Sequence, residues 1–319
     1  MLLYVAGKLG QALLTLFLAS VVIFLILRLI PGDPATVLAG ADATDETIAS
    51  IRQNLGLDQS IPTQYLHWIG AILTFDLGRS YVIGGDIGAL IAHALGNTVV
   101  LAITALVFAL LISAVLSFSV VLRPTGWLIA VVNAFATVSI AVPTFVTGVI
   151  LVAIFALWLP LLPGGGSPPD GYFANPWITF QYLILPGLCI ALPVASTLTR
   201  FLTEALRTEL AQPYVLTARA AGISARRILF HSVLRNALPS TVTVLGIQIG
   251  QLLGAAILVE TIFAWPGLGQ LLAQSIAARD YPLVQALLLL SVTIFIVTAT
   301  LTDVVQAALD PVARREEDR

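Results

Sequence analysis

Three histidines, a single cysteine and a scatter of carboxylates are the only groups through which this chain could do covalent or metal chemistry, and their spacing argues against both. His67, His93 and His231 lie far apart in the sequence and read as ordinary interfacial or capping residues. Cys189 stands alone inside an apolar run, which excludes an internal disulfide or a cysteine-based metal site and suits an inert buried thiol. Asp170, in Gly164-Gly165-Gly166-Ser167-Pro168-Pro169-Asp170-Gly171, is a turn acid. There is no Gly-x-x-x-x-Gly-Lys-Ser/Thr phosphate cradle, so any nucleotide that drives this chain must be bound by another polypeptide. What remains is non-covalent. Glu260 ends an apolar run, where a carboxylate is either functional or simply reaches water. Gln248 and Gln251 lie in the same run, where a buried amide is costly unless paired or wet. With Glu260 they are the candidate lining of a polar pathway. Gly246, Gly250 and Gly254 recur every fourth residue and allow close helix packing, within the chain or against a second membrane subunit.

The second cluster is cationic. Six of the fifteen basic residues, Arg200, Arg207, Arg219, Arg226, Arg227 and Arg235, fall between residues 200 and 236, flanked by uncharged apolar runs. A plain connector needs about five residues, so this segment is expected to dock a partner. Pro213 fits the first turn of a helix. Tyr214, Val215, Leu216, Thr217, Ala218, Arg219, Ala220 and Ala221 supply about two turns, and Gly222 stops them by adopting positive φ. Ser224 is placed to cap the next helix, which runs from Arg226 into the following apolar stretch. A short helix with small side chains suits a groove on another protein, with Arg219, Arg226 and Arg227 facing acidic rims. The competing reading, an amphipathic helix on anionic lipid, calls for more large apolar residues.

The elements that position these groups are membrane spans. The chain has 319 residues, 58% hydrophobic and 10% charged, with mean hydropathy +0.99; a soluble domain carries about 25% charged residues. Apolar windows predict six spans, at roughly 9–30, 97–122, 128–159, 182–202, 237–259 and 283–305. The third run is too long to cross straight, and Pro143 is its expected kink, with Ser139, Thr144 and Thr147 available to satisfy freed backbone groups. Pro186 and Pro193 are expected to act likewise in the fourth. The first run lacks a small-residue cleavage step and reads as an uncleaved span. With the N-terminus inside, eleven of the fifteen Lys and Arg residues fall on inner segments, which predicts both termini cytoplasmic. The loop 31–96 is then outside. Thr44-Asp45-Glu46 opens one short helix there and Gly56 stops it, while Pro62 opens a second that carries Tyr65 and Trp68 on one face. The expected organisation is a first span over 1–30, an outer loop over 31–96, a five-helix core over 97–311 containing a loop at 203–236, and a charged tail over 312–319. No internal repeat is evident.

Four stretches resemble the permease subunits of bacterial ATP-binding-cassette importers, specifically the B-type subunit of the oligopeptide/dipeptide/nickel permease family. They are Pro31-Gly32-Asp33-Pro34; Leu55-Gly56-Leu57-Asp58 with Tyr65, Trp68, Asp76-Leu77-Gly78 and Ser80; Tyr214 through Gly222 with His231, Leu234, Arg235-Asn236-Ala237 and Pro239; and Glu260, Ile262-Phe263, Trp265-Pro266-Gly267-Leu268-Gly269, Arg279-Asp280-Tyr281-Pro282, Asp303 and Leu309-Asp310-Pro311. In order, they span nearly the whole chain. The resemblance implies an all-α polytopic membrane protein with six transmembrane helices in the type I importer permease fold. It implies that 214–222, with Arg226 and Arg227, is the coupling helix (the EAA loop) that enters a cleft on the ATPase. Leu216 and Thr217 depart from the general EAA pattern, as is usual in the peptide branch; Ala218 and Gly222 keep it. The implied partners are a paralogous permease in a heterodimer, two ATPase subunits or domains that bind the ATP and Mg, an extracytoplasmic solute-binding protein and membrane lipid, with no nucleic acid. The implied solute is a short peptide or a related small solute, with nickel or metal chelates and glutathione as alternatives. The chain itself would carry no catalytic or metal site. An ion-coupled carrier would bury more acids within its spans, and a membrane enzyme would show a convergent catalytic set.

Overall fold

Hydrocarbon offers no partner for a backbone N–H or C=O, so a chain this apolar must pair its backbone groups within each segment. The computed structural model describes residues 2–29, 35–36, 43–54, 56–80, 82–169 and 171–309, and among them it is helical, with one isolated antiparallel bridge between Arg79 and Asp86. Pro31–Pro34, Leu55, Asp170, Asp310-Pro311 and the tail 312–319 lie outside the described residues, as does the side chain of Asp303. The helices are α1 (Leu2–Leu29), α2 (Asp45–Asn54), α3 (Ile61–Leu73), α4 (Ile87–Leu122), α5 (Gly126–Ala141), α6 (Thr144–Val152), α7 (Pro176–Leu210), α8 (Pro213–Ala220), α9 (Ala225–Ile228), α10 (Leu234–Ile262), α11 (Leu268–Ala277) and α12 (Tyr281–Leu309). π-helical turns extend α6 over Ala153–Trp158 and join α9 to α10 over Leu229–Val233. Four helices are long and apolar enough to cross a membrane, or up to six if each of two bent pairs is one span.

The bends follow from composition. The third apolar run breaks at Val142-Pro143, where Pro143 cannot donate to the helix ladder, and its halves diverge by 107°. That is far sharper than the kink expected from sequence. Pro186 and Pro193 do not interrupt α7, which continues through both to Leu210. Within it, the Ser196 hydroxyl donates to the Leu192 carbonyl at 2.8 Å, and Thr197 to that of Pro193 at 3.1 Å. The run containing α10 bends by 45° beside Gly254. Helix α4 starts at Ile87, well before the apolar run from 97, because Asp86 caps it: the Ala89 amide donates to Asp86 Oδ1 at 2.8 Å.

The chain divides into two compact units. The first comprises Met1–Thr98 and Pro266–Thr300. In it, Ile87, Ile91 and Ala94 pack with Leu268, Leu283 and Leu287. Asn97 is buried and donates from Nδ2 to the Pro266 carbonyl at 2.7 Å, and the Leu268 amide donates to Thr98 Oγ1 at 2.9 Å. Tyr65 and Trp68 of α3 rest on Phe24 of α1, with ring centroids 5.4 and 5.8 Å away, and the Tyr65 hydroxyl lies 2.8 Å from that of Ser20.

The second unit comprises Val99–Trp265 and Leu301–Arg319, with α7 at its centre. Gly187 of α7 lets Phe108 and Thr104 approach, and Gly148 accepts Cys189, Ile262 and Phe263. At the end of α10 the 164–166 loop folds back so that the Gly166 amide donates to the Phe263 carbonyl at 2.7 Å. A Cβ on Gly165 would stand 2.5 Å from that same oxygen, with backbone as the obstacle. Gly165→Ala is therefore expected to cost about 1–3 kcal/mol, the scale of overpacking, seen as a lower unfolding temperature of the purified chain in detergent. Gly254→Ala, which adds a Cβ into open space, is the control and should leave that temperature unchanged.

Candidate functional site

The arginine-rich loop is built by pinning one face and exposing the other. Pro213 opens α8, with Gln212 in an extended N-cap conformation. Val215 is 0% exposed and inserts among Leu202, Leu206, Ile228, Leu229, Val233 and Ala237, with Ala218 packed at the edge. The helix closes at Gly222, whose φ is +77°: the Gly222 amide donates to the Arg219 carbonyl at 3.0 Å and the Ile223 amide to that of Ala218 at 3.1 Å. This is the paired C-terminal closure that requires a left-handed residue. Ser224 occupies the N-cap of α9, but its side chain makes no capping bond there. Tyr214 donates its hydroxyl to Glu209 Oε2 at 2.8 Å and accepts from Asn236 Nδ2 at 3.4 Å, tying α8 to α7 and α10. Desolvation, then the Glu209 bond, raises the Tyr214 phenol above its ordinary pKa and keeps it protonated.

Opposite this anchored face, Leu216, Thr217, Arg219, Ala220, Ala221, Gly222, Arg226 and Arg227 are all exposed. Leu216 is 67% exposed, and Ile223 and Phe230 are also uncovered. The sequence places Leu216 within the 214–222 helix and as a departure from the general pattern, without marking it as uncovered. Leu216 is the largest uncovered apolar side chain on α8, and the signal available was its position next to buried Val215 on a short amphipathic helix. At the loop-side end of α7, Arg200, Glu204 and Arg207 line a polar recess of ≈ 160 Å³ with Asn133 and Thr203.

At the other end of α10 the carboxylate lies differently from the expectation of a water-reaching end group. Glu260 is 0% exposed, beside Val259, Phe263 and Trp265 of the apolar core. Tyr172 stacks over Trp265 with ring centroids 5.7 Å apart. Burial, and secondarily the nearby Glu260 charge, push the Tyr172 phenol up to about 12, so it stays a hydrogen-bond donor at neutral pH. The cap depends on Ala264 at φ +47°, which lets the Trp265 amide donate back to the Glu260 carbonyl at 2.8 Å. Nothing in the sequence signalled it, because alanine is not a residue expected at positive φ.

The two pathway amides separate: Gln248 is buried, whereas Gln251 is exposed. The three glycines separate as well. Gly246 faces this chain's own α12, where the Thr302 hydroxyl donates to its carbonyl at 3.1 Å and a Cβ would meet Thr302 Cγ2 at 3.1 Å. Of the two readings of Gly246, this contact fits packing within the chain. Gly250 is half-buried, and Gly254 is exposed with open space above it. The arginine-rich loop and Glu260 are not brought together; they occupy opposite ends of the run leading through α10.

Known proteins share this organisation. Residues 119–315 match the family described as the inner membrane component of binding-protein-dependent transport systems, and residues 1–96 match the N-terminal part of such membrane components. The chain is 38% identical over 314 residues to the glutathione transport system permease protein GsiC of Salmonella choleraesuis, covering 98% of this chain and 99% of that protein. It is 32% identical over 308 residues to a probable peptide ABC transporter permease protein, y4tP, of Sinorhizobium fredii, covering 97% and 98% respectively. A solved structure of the MetNI methionine ABC transporter in an inward-facing conformation matches with TM-score 0.53 at 18% identity, over 69% of this chain and 96% of the matched chain, which is a likeness of fold. On this evidence the chain belongs to the family of inner-membrane components of binding-protein-dependent transport systems, as a permease of the ABC importer class.

Proposed function

We propose that this permease spans the membrane six times with both termini cytoplasmic, and forms half of the translocation pathway for short peptides or a related small solute. A paralogous permease supplies the other half. Two ATPase subunits or domains bind ATP and Mg and engage 214–222, and an extracytoplasmic solute-binding protein delivers the solute to the side that carries the 31–96 loop. Glutathione, the solute named for the relatives at 38% identity, is the first alternative cargo, followed by nickel or metal chelates.

One observation carries the coupling assignment. Helix α8 is held by buried Val215 and the Gly222 closure, while Leu216 and the arginines are left uncovered. A helix fixed to its own bundle on one face and bare on the other can pass a push from a partner into the spans. Closure of the ATPase pair would move α8 and, through Val215, the ends of α7 and α10. The spans would alternate between inward- and outward-open states, with no covalent chemistry in this chain. Glu260, enclosed at the far end of α10, is suited to opening with that tilt and meeting a cationic or hydrogen-bond-donating part of the solute. Gln248 is its companion along the same helix, and exposed Gly254 and Gln251 face the position a second permease would take.

Three measurements test this reading. Purification in mild detergent is expected to recover the chain with its nucleotide-binding subunits and a second permease; recovery of the chain alone would overturn the proposal. Gly222→Val places a β-branched residue at φ +77°, at a cost of about 1–2 kcal/mol. It should leave insertion intact and uncouple uptake from ATP hydrolysis, and normal uptake by that variant would sink the coupling role. Glu260→Gln should assemble normally yet lower uptake at least about tenfold, the effect of losing one charge-assisted hydrogen bond. Wild-type uptake would make Glu260 structural.

A further inference from the structure

In the first unit, the last turn of α1, the turn before α3, α3 itself and the start of α12 enclose a pocket of ≈ 240 Å³. Arg28 and Arg279 both line it. Neither is ion-paired with a carboxylate among the described residues; the Arg28 guanidinium lies 5.2 Å from the centroid of the Phe24 ring. The one acid on the lining, Asp280, is 1% exposed and already committed. Its Oδ2 accepts from the Ser80 hydroxyl and its Oδ1 from the Leu283 amide. Two further lining residues carry a buried atom with no hydrogen-bond partner among the described residues: the Tyr281 hydroxyl and Gln64 Oε1.

The backbone commits Arg279 to this place. Helix α11 closes through the Arg279 amide on the Ile276 carbonyl and the Asp280 amide on the Ser275 carbonyl, with Arg279 at φ +56°. Glycine is the usual residue at such a position. A side chain there is strained, and residues held in this region cluster at ligand clamps. Depth in the membrane supplies the remaining constraint. Arg28 lies in the last turn of the apolar span Ala6–Leu29 and Arg279 two residues before the span Tyr281–Thr302, which, on the membrane-spanning reading proposed above, puts the pocket at the boundary between hydrocarbon and headgroups. Its apolar wall is Phe24, Leu27 and Trp68. Helix α3 carries Tyr65 and Trp68 against α1 while leaving Leu66 and Leu73 uncovered, the pattern of a helix lying in the interface.

We propose that this pocket binds the headgroup of a glycerophospholipid bearing both a phosphodiester and a primary ammonium. The phosphate sits between Arg28 and Arg279 and accepts from the Tyr281 hydroxyl. The ammonium donates to Gln64 Oε1, and the first acyl carbons lie on Phe24, Leu27 and Trp68. Bidentate guanidinium–phosphate pairing supplies the charge recognition. A soluble phosphate shares that chemistry but gains nothing from the apolar wall, which is why lipid is the favoured source. The bound lipid would tie the end of α1 to the start of α12 within this unit.

The test compares lipids retained by the complex purified in mild detergent, identified by native mass spectrometry, for the wild type, the Arg28→Gln/Arg279→Gln double variant and Tyr281→Phe. Wild type should retain phosphatidylethanolamine through delipidating washes. Tyr281→Phe, which keeps the ring and loses only the hydroxyl, should bind it about tenfold more weakly, as for one hydrogen bond to a charged group, and the double variant more weakly still. Equal retention by all three would overturn the proposal. So would displacement of the bound lipid by millimolar inorganic phosphate or glycerophosphoethanolamine, which would assign the pocket to a soluble phosphate. Displacement by the transported solute would overturn it too, and make the pocket part of the pathway.

Discussion

The last carbonyls of a helix have no partner inside it. Five helix ends among the described residues meet this constraint in the same way. At Gly56, Phe75, Gly222, Ala264 and Arg279 the backbone turns left-handed, with φ between +47° and +77°. Each turn lets its own amide and the next one reach back to two orphaned carbonyls. The closures set where the chain leaves each helix, and so fix the features that bear on function. Gly222 separates the exposed face of α8 from the helix that follows, Ala264 folds Trp265 over the end of α10, and Arg279 puts a guanidinium at a pocket beside α12.

Helix α10 is the shared element of the second unit. Through Val233 and Ala237, the start of its run belongs to the cluster that anchors Val215. Its far end, through Val259 and Phe263, belongs to the core beneath the Gly164–Gly166 loop. The helical run between these ends carries a 45° bend beside Gly254. The contact of Gly246 with Thr302 fastens α10 to α12.

Helix content, the positions of most apolar runs and the break at Pro143 were legible in the sequence, because they depend on local hydropathy and on the missing proline amide. The stops at Gly56 and Gly222 were legible for the same reason: glycine announces positive φ. The non-glycine closures at Phe75, Ala264 and Arg279 were not, because no side-chain property marks them and only the packing of the following residues holds them there. Helix α4 runs back to Ile87, ahead of the span expected from residue 97, and contacts distant in sequence hold that start. Asp86, Asn97 and Thr98 find partners at the helix cap and at Pro266 and Leu268, far along the chain. Pro186 and Pro193, the expected kink sites of the fourth run, lie inside a helix that continues through both to Leu210.

By itself the sequence determined that this is a membrane protein, that its arginine-rich loop holds a short helix ended by glycine, and that it contains no Gly-x-x-x-x-Gly-Lys-Ser/Thr motif. Those conclusions rest on composition, periodicity and single-residue backbone preferences, which act locally. The tertiary structure alone decided which face of α8 is buried, that Glu260 is enclosed, that Gln248 and Gln251 part company, and that Gly246 packs against α12. Each of these depends on what lies across from a residue in space, and no local pattern of hydropathy specifies that neighbour.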